Sequence, residues 1–299
     1  MISEKSHHAC VPAVPPGGPI GEILVKAGKI SPADLPSIAA RQKNENLLFG
    51  EAAVKMGLVT EKELSWALSV QFSFPGIIPA DGLVSGEVIT AHRPSGPEAE
   101  AFRSIRSALM LAGAADRVRA ISVVSPGEGE GRTFVAANLA VTFAHLGART
   151  LIADFNFRAP RIHEIFRVKN NCGASSLLIK RADLERAVHE TAMPSLHVLA
   201  SGPRPPNPVE ILGWREAGLL ISTLKKAYDV VIVDTPAFLK TSDAAETAPL
   251  TDGALLIASR GRTAGAAFGA VKKQLDNSGC PVIGAIMNQP AKTAKGKRS

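Results

Sequence analysis

Most of this 299-residue chain reads as an α/β domain built on a mostly parallel sheet with helices on both faces, preceded by a small all-α repeat domain. Three observations lead there: six short, near-continuously apolar runs between residues 120 and 287, helical stretches between them, and a self-similar helical segment near the start. Strands that are apolar on both faces are buried on both faces, and intervening helices give the crossovers that parallel pairing needs. The composition suits a folded protein, with 45% hydrophobic and 20% charged residues; 34 basic against 27 acidic side chains leave a formal net charge of +7. Cys10, Cys172 and Cys280 lie far apart with no CxxC pair, which argues against a disulfide framework or a cysteine zinc site and for reduced thiols. Apolar runs such as Ala254–Ala258 fall well short of the roughly 20 residues a membrane-spanning helix requires. Glu4, Lys5, His7 and His8 ahead of a Pro/Gly-rich run do not make a secretory signal, so a cytoplasmic location is expected.

Residues 1–17 are expected to be disordered. The repeat follows: Ile20-Gly21-Glu22-Ile23 returns 29 positions later as Phe49-Gly50-Glu51-Ala52, and the same offset pairs Gly28 with Gly57, Leu35 with Leu64 and Gln42 with Gln71. Each copy predicts a short helix (Ile20–Ala27, Phe49–Met56), a helix-ending glycine, and a second helix opened by Ser31-Pro32 or Thr60-Glu61. Thr60 and Glu63 have capping-box spacing. The two copies together predict a four-helix domain over residues 18–75. Pro75, Pro79, Gly82, Gly86, Pro94, Gly96 and Pro97 then break every periodic pattern, which marks residues 76–97 as a linker. The α/β domain spans 98–289, with strands expected at Ala120–Ser125, Arg149–Asp154, Leu196–Ala200, Val230–Asp234, Ala254–Ser259 and Pro281–Met287. Lys292, Lys295, Lys297 and Arg298 predict a basic, disordered tail over 290–299. With few aromatic residues to stack bases, no nucleic-acid partner is expected.

The chemistry concentrates where the first strand ends. Ser125-Pro126-Gly127-Glu128-Gly129-Glu130-Gly131-Arg132-Thr133 runs directly into a helical stretch starting at Phe134. Glycines let backbone amides turn inward, the helix N-terminus adds partial positive charge, and a cation followed by a hydroxyl completes a phosphate cradle. The strict G-x-x-x-x-G-K-[ST] pattern is not met, because Pro126 stands at its first glycine and Arg132 at its lysine. A glycine-rich turn without a ligand is the competing reading. Two apolar strands each end in an acid, Asp154 and Asp234, and ligands of open α/β sheets bind beyond the carboxyl ends of strands. Thr133, Asp154 and Asp234 are therefore expected to converge on one crevice suited to Mg2+.

These residues resemble the bacterial tyrosine kinases (BY-kinases) of exopolysaccharide export, whose P-loop domain belongs with the MinD/ParA-like ATPases. The resemblance covers residues 94–289. It rests on the Ser125–Thr133 loop, on Asp154-Phe155-Asn156-Phe157-Arg158-Ala159-Pro160 for D-x-D-x-R-x-P, and on Tyr228–Pro236 for the third nucleotide motif. Glu100-x-x-Arg103-x-x-Arg106, Gly202, the Pro205–Leu212 segment and Asn288 also fit. It implies ATP and Mg2+ as cofactors, with Gly127, Glu128, Gly129, Glu130, Gly131, Arg132, Thr133, Phe134 and Asn288 around the nucleotide, the last near its base. It implies Thr133, Asp154 and Asp234 around the metal, Arg132, Asp154 and Asp234 in catalysis, and Asp154 as the base. It also implies a homo-oligomeric ring through Glu100, Arg103 and Arg106, where residues alone would read a solvated helix face.

The subtype resembled is the EpsG-type chain-length-determinant kinase, a separate chain working with a membrane-anchored polysaccharide co-polymerase and recruited by it to the inner membrane. The N-terminal repeat is similar to the N-terminal domains of type II secretion ATPases, some of which bind cyclic di-GMP. Those binders carry arginine where this chain has Pro19 and Leu48, so protein docking is preferred over dinucleotide sensing. Arg132 keeps the charge of the usual lysine in a planar fork, while Asn156 replaces the second acid of the D-x-D pair. Arg158 is left open between a phosphate contact and a pair with a strand-end acid, and His145 and His163 read as ordinary helix residues. The sole tyrosine, Tyr228, stands at a strand start and reads as structural. Tyrosine transfer would then act on another protein. The alternatives are an ATP-responsive regulatory subunit with impaired chemistry and a MinD/ParA-like ATPase that uses water as acceptor.

Overall fold

The computed structural model describes residues 18–71, 82–111, 118–193 and 195–289. The calls for residues 1–17 and 290–299 lie outside the described residues, as does the 76–81 part of the expected linker. Two units divide at Pro79. The first has helices Ile20–Lys26, Asp34–Glu45, Phe49–Lys55 and Glu61–Gln71 around Ile23, Leu24, Ile38, Ala52, Ala53 and Ala67. Its repeat is structural as well as textual. Gly28 (φ 67°) and Gly57 (φ 69°) end the first helix of each copy in the left-handed region. In both copies the next N–H reaches back to close the turn: Lys29 N donates to Leu24 O at 2.9 Å and Leu58 N to Ala53 O at 3.1 Å.

Gly21 and Gly50 serve a second purpose, since a Cβ there would lie 2.9 Å from Leu35 Cδ2 and 2.2 Å from Leu64 Cδ1 respectively. Each glycine thus lets the following helix of its copy approach closely. Thr60 and Glu63 form the reciprocal cap, with Thr60 N donating to Glu63 Oε2 at 2.9 Å and Glu63 N to Thr60 Oγ1 at 3.2 Å. The first copy differs. Its second helix begins at Asp34 and not at Pro32, because the Ser31 hydroxyl accepts the Ala33 N–H at 3.1 Å and closes a turn ahead of the helix.

The second unit is a seven-stranded sheet: β1 (Ala120–Val124), β2 (Thr150–Asp154), β3 (Val188–Glu190), β4 (Leu196–Leu199), β5 (Val230–Asp234), β6 (Gly253–Ser259) and β7 (Val282–Asn288), in the order β3-β4-β2-β5-β1-β6-β7. Every neighbouring pair is parallel except β3 with β4. The antiparallel edge strand β3 was not expected; at three residues, directly after the short helix Leu184–Ala187, it has no periodic signature. Apolar clusters cover both faces, one around the helix Arg132–Ala144 and the others around Phe155, Ile221 and Leu224 and around Val271 and Leu275.

Part of the stretch read as a linker, 76–97, is built into this unit. Val84, Val88 and Ala91 are buried against its core, and Ser85 N donates to Ile165 O at 2.7 Å. The apolar residues between its glycines and prolines find a core that sequence spacing alone does not reveal. Asn138, fully buried on the Arg132–Ala144 helix, ties the stretch down: Thr90 N donates to its Oδ1 at 3.0 Å and its Nδ2 donates to Glu87 O at 2.9 Å.

Candidate functional site

β1 feeds the glycine loop, and the loop feeds the Arg132–Ala144 helix at the carboxyl edge of the sheet. Gly129 (φ 66°) and Gly131 (φ 100°) take left-handed backbone conformations that L side chains rarely adopt. At Gly131 a Cβ would also fall 2.1 Å from Asn288 Nδ2, so the end of β7 rests directly on the loop. Asn288 Nδ2 donates to Glu130 O at 2.9 Å. Glu130 is nearly buried and organises the loop from within, accepting Gly127 N at 2.6 Å and the Thr263 hydroxyl at 2.5 Å. Burial opposes its charge, yet these hydrogen bonds prevail and hold the carboxyl below its ordinary range. Thr263 and Arg262, whose guanidinium lies over Gly129, come from the loop after β6 and carried no motif that would single them out.

The expected triad of metal residues does converge. Asp154 and Asp234 are register partners on adjacent strands β2 and β5, and both are fully buried. Thr133, on the first turn of the loop helix, donates its hydroxyl to Asp234 Oδ2 at 2.7 Å. Asp234 Oδ1 is buried with no hydrogen-bond partner, an uncommon state for a carboxylate oxygen and one that suits a cation ligand. Asp154 accepts three backbone N–H groups, from Asn156 on Oδ1 and from Arg161 and Ile162 on Oδ2, each at 3.0 Å. Burial first, and the charge of Asp234 second, push Asp154 far above the ordinary carboxylate range; burial likewise raises Asp234, against the pull of Thr133 and Arg132. Two buried acids side by side suit a cation, whose charge would offset the cost of ionising both. The left-handed loop glycines, the Thr133 hydroxyl and the unpartnered Asp234 oxygen thus fit a magnesium-bound nucleotide.

Other predicted residues sit differently. Arg132 is 8% exposed and spends its donors on the protein, Nε on Thr235 O at 2.9 Å and Nη1 on Ser125 Oγ and Gly127 O. Arg158 pairs with an acid, but not one at a strand end: it grips both oxygens of the buried Asp243, at 2.8 and 2.9 Å. Asn156 closes its own turn, its Nδ2 donating to Ala159 O and its Oδ1 accepting Ala159 N. Phe134 packs edge-on against Phe102 at 5.8 Å, and Glu128 is exposed. On the helix Pro97–Leu109, Glu100 is exposed and pairs with Arg103 of the same chain. Arg106 departs from a solvated face: it is 9% exposed and donates from Nη1 to Thr142 O at 2.7 Å.

A parallel sheet with a glycine loop at its carboxyl edge, a hydroxyl at the head of the following helix and two acids on neighbouring strands defines a P-loop nucleotide-binding protein of the MinD type. A MinD structure from Pyrococcus horikoshii, solved with Mg-ADP, superimposes with a TM-score of 0.52 and 26% identity over 59% of this chain and 72% of that one. The chimerical protein CapA2B2 superimposes more fully, with a TM-score of 0.66 and 32% identity over 72% of this chain and 98% of that one. The tyrosine-protein kinase YwqD of Bacillus subtilis is 36% identical over 201 residues, which are 67% of this chain and 85% of YwqD. The chain belongs to the bacterial tyrosine-protein kinase family. No family model matches it.

Proposed function

We propose that this chain is an ATP- and magnesium-dependent protein tyrosine kinase of exopolysaccharide chain-length control, acting on tyrosines of a partner polypeptide. The observation that carries this reading is the Thr133–Asp234 contact beside Asp154, at the mouth of a glycine loop, in a family of tyrosine kinases. ATP with magnesium, when bound, would supply the phosphoryl group and the positive charge that offsets its transfer. The loop amides and the helix N-terminus hold phosphate oxygens. Thr133 and Asp234 would hold the metal, with Asp154 completing its carboxylate surroundings. Arg132, braced on Thr235, Ser125 and Gly127, keeps the loop closed and places one positive charge beneath it. Asp154 takes the acceptor proton on Oδ1, which receives one N–H bond against two on Oδ2.

The partner is a membrane-anchored polysaccharide co-polymerase that recruits the kinase to the inner membrane; among the described residues no helix is long and apolar enough to cross a membrane. Rings form through Glu100 and Arg103, which lie on the outer side of their helix, while Arg106 steadies that helix from beneath. The helical unit is a docking domain, and cyclic di-GMP is the lesser alternative for it.

Incubating the purified chain and its co-polymerase with labelled ATP and magnesium is expected to yield phosphotyrosine on the co-polymerase. Binding of ATP without transfer would favour the second reading, an ATP-responsive regulatory subunit. Asn156 favours that second reading, because its side chain is committed to Ala159 and carries no charge. A rise of more than about tenfold in transfer by Asn156→Asp would support it. Release of free phosphate without protein labelling would point to a MinD/ParA-like ATPase.

A further inference from the structure

Three arginines of the loop and of the segment after β2 are committed to different degrees, and two of them, Arg132 and Arg161, act on Asp234 through their charge. Arg132 is buried and bonded to loop and strand oxygens, and Arg158 is held on both oxygens of a fully buried aspartate. Arg161 is the third. Its own N–H lies on Asp154 Oδ2 at 3.0 Å, which fixes its backbone at the rim of the carboxylate pair. Its side chain is 48% exposed and ends on Glu87 Oε1 at 2.5 Å, with Glu164 Oε2 at 3.8 Å; the Glu87 and Glu164 side chains are 41% and 60% exposed. Exposed pairs of this kind are worth about 0–1 kcal/mol, so Arg161 can leave Glu87 for a better anion at little cost. Its charge already acts on Asp234, helping to hold that acid down against burial. Glu87 is held in turn through its carbonyl by Asn138, on the same helix that carries Thr133.

We propose that Arg161 is the arginine that meets the terminal phosphate of the bound nucleotide, and that Glu87 is the resting partner the phosphate displaces. This rests on the nucleotide-binding reading above. No bond is made or broken by Arg161; its planar fork matches two phosphate oxygens and offsets their charge. Arg158 cannot serve without abandoning a buried acid, whereas Arg161 exchanges one exposed anion for another.

Calorimetric titration of the full chain with Mg-ATP and Mg-ADP tests this, in Arg161→Ala, Arg161→Lys and Glu87→Gln beside the unaltered protein. Arg161→Ala is expected to weaken Mg-ATP about tenfold, the loss of one charged hydrogen bond, while Mg-ADP stays within about twofold. Arg161→Lys should recover part of the preference for ATP. Glu87→Gln should tighten Mg-ATP a few-fold and leave Mg-ADP alone, an effect of opposite sign that a merely structural role would not produce. An unchanged ATP-to-ADP ratio in Arg161→Ala, or equal weakening of both nucleotides, overturns the assignment even though nucleotide binding stands. Failure of the unaltered chain to bind either nucleotide overturns the binding reading and this inference with it.

Discussion

Asp154 and Asp234 face the same problem from adjacent strands: both are fully buried, burial raises the pKa of each, and the charge of Asp234 raises that of Asp154 further. An acid whose folded pKa is raised binds its proton more tightly folded than unfolded, so stability falls as pH climbs from about 4 through neutrality. The nucleotide-free chain should therefore melt at a lower temperature at pH 8 than at pH 5, and magnesium with nucleotide should narrow the gap. Asp234→Asn keeps an oxygen for the Thr133 hydroxyl and removes the charge beside Asp154. Scanning calorimetry should find this variant more stable than the unaltered chain at pH 8 without ligand, with a shallower pH slope. Its affinity for Mg-nucleotide should fall by at least about tenfold. On the proposed reading, stability and binding move in opposite directions because two buried carboxyls that cost stability are also the ones that would hold the cation.

Among the elements, the helical repeat offers an internal control. Gly28 and Gly57 hold matching positive φ values with no atom within 4 Å of a would-be Cβ, so only backbone strain opposes a side chain at either position. Gly28→Ala and Gly57→Ala should each destabilise the helical unit by about 1 kcal/mol, to similar extents, seen as faster amide exchange across residues 20–71. A large difference between them would mean that the two copies are not equivalent. The loop helix Arg132–Ala144 behaves otherwise. It is buried almost all round, so its periodicity is weak in sequence, and its position comes from neighbours: Phe102, Thr90 and Glu87 on its outer side, and the sheet beneath.

For the molecule as a whole, the position of the sole tyrosine constrains the direction of the reaction. Tyr228 is 5% exposed at the start of β5, with the Arg149 guanidinium 5.0 Å from its ring centroid and the His197 ring at 5.4 Å. Burial raises its hydroxyl pKa, and a phosphate there would have to displace packed neighbours. Mass spectrometry after reaction with ATP and the co-polymerase should find phosphotyrosine on the partner and none on this chain. Tyr228→Phe should transfer phosphate to the partner at an unaltered rate.

The α/β class, the four-helix repeat, the glycine loop and the two strand-end acids were legible in the amino-acid sequence, because each rests on local pattern: strand hydrophobicity, a repeat offset, glycine spacing, an acid after an apolar run. Tertiary structure decided what depends on contacts between distant residues. It placed Asn288 on Gly131, brought Thr263 to Glu130, joined Arg158 to Asp243, buried Arg106, and drew Val84–Ala91 out of an apparent linker and into the core. Local pattern states what a segment prefers to be. Which polar group meets which, across 51 to 158 residues of chain, is set only when the sheet brings the strand ends together.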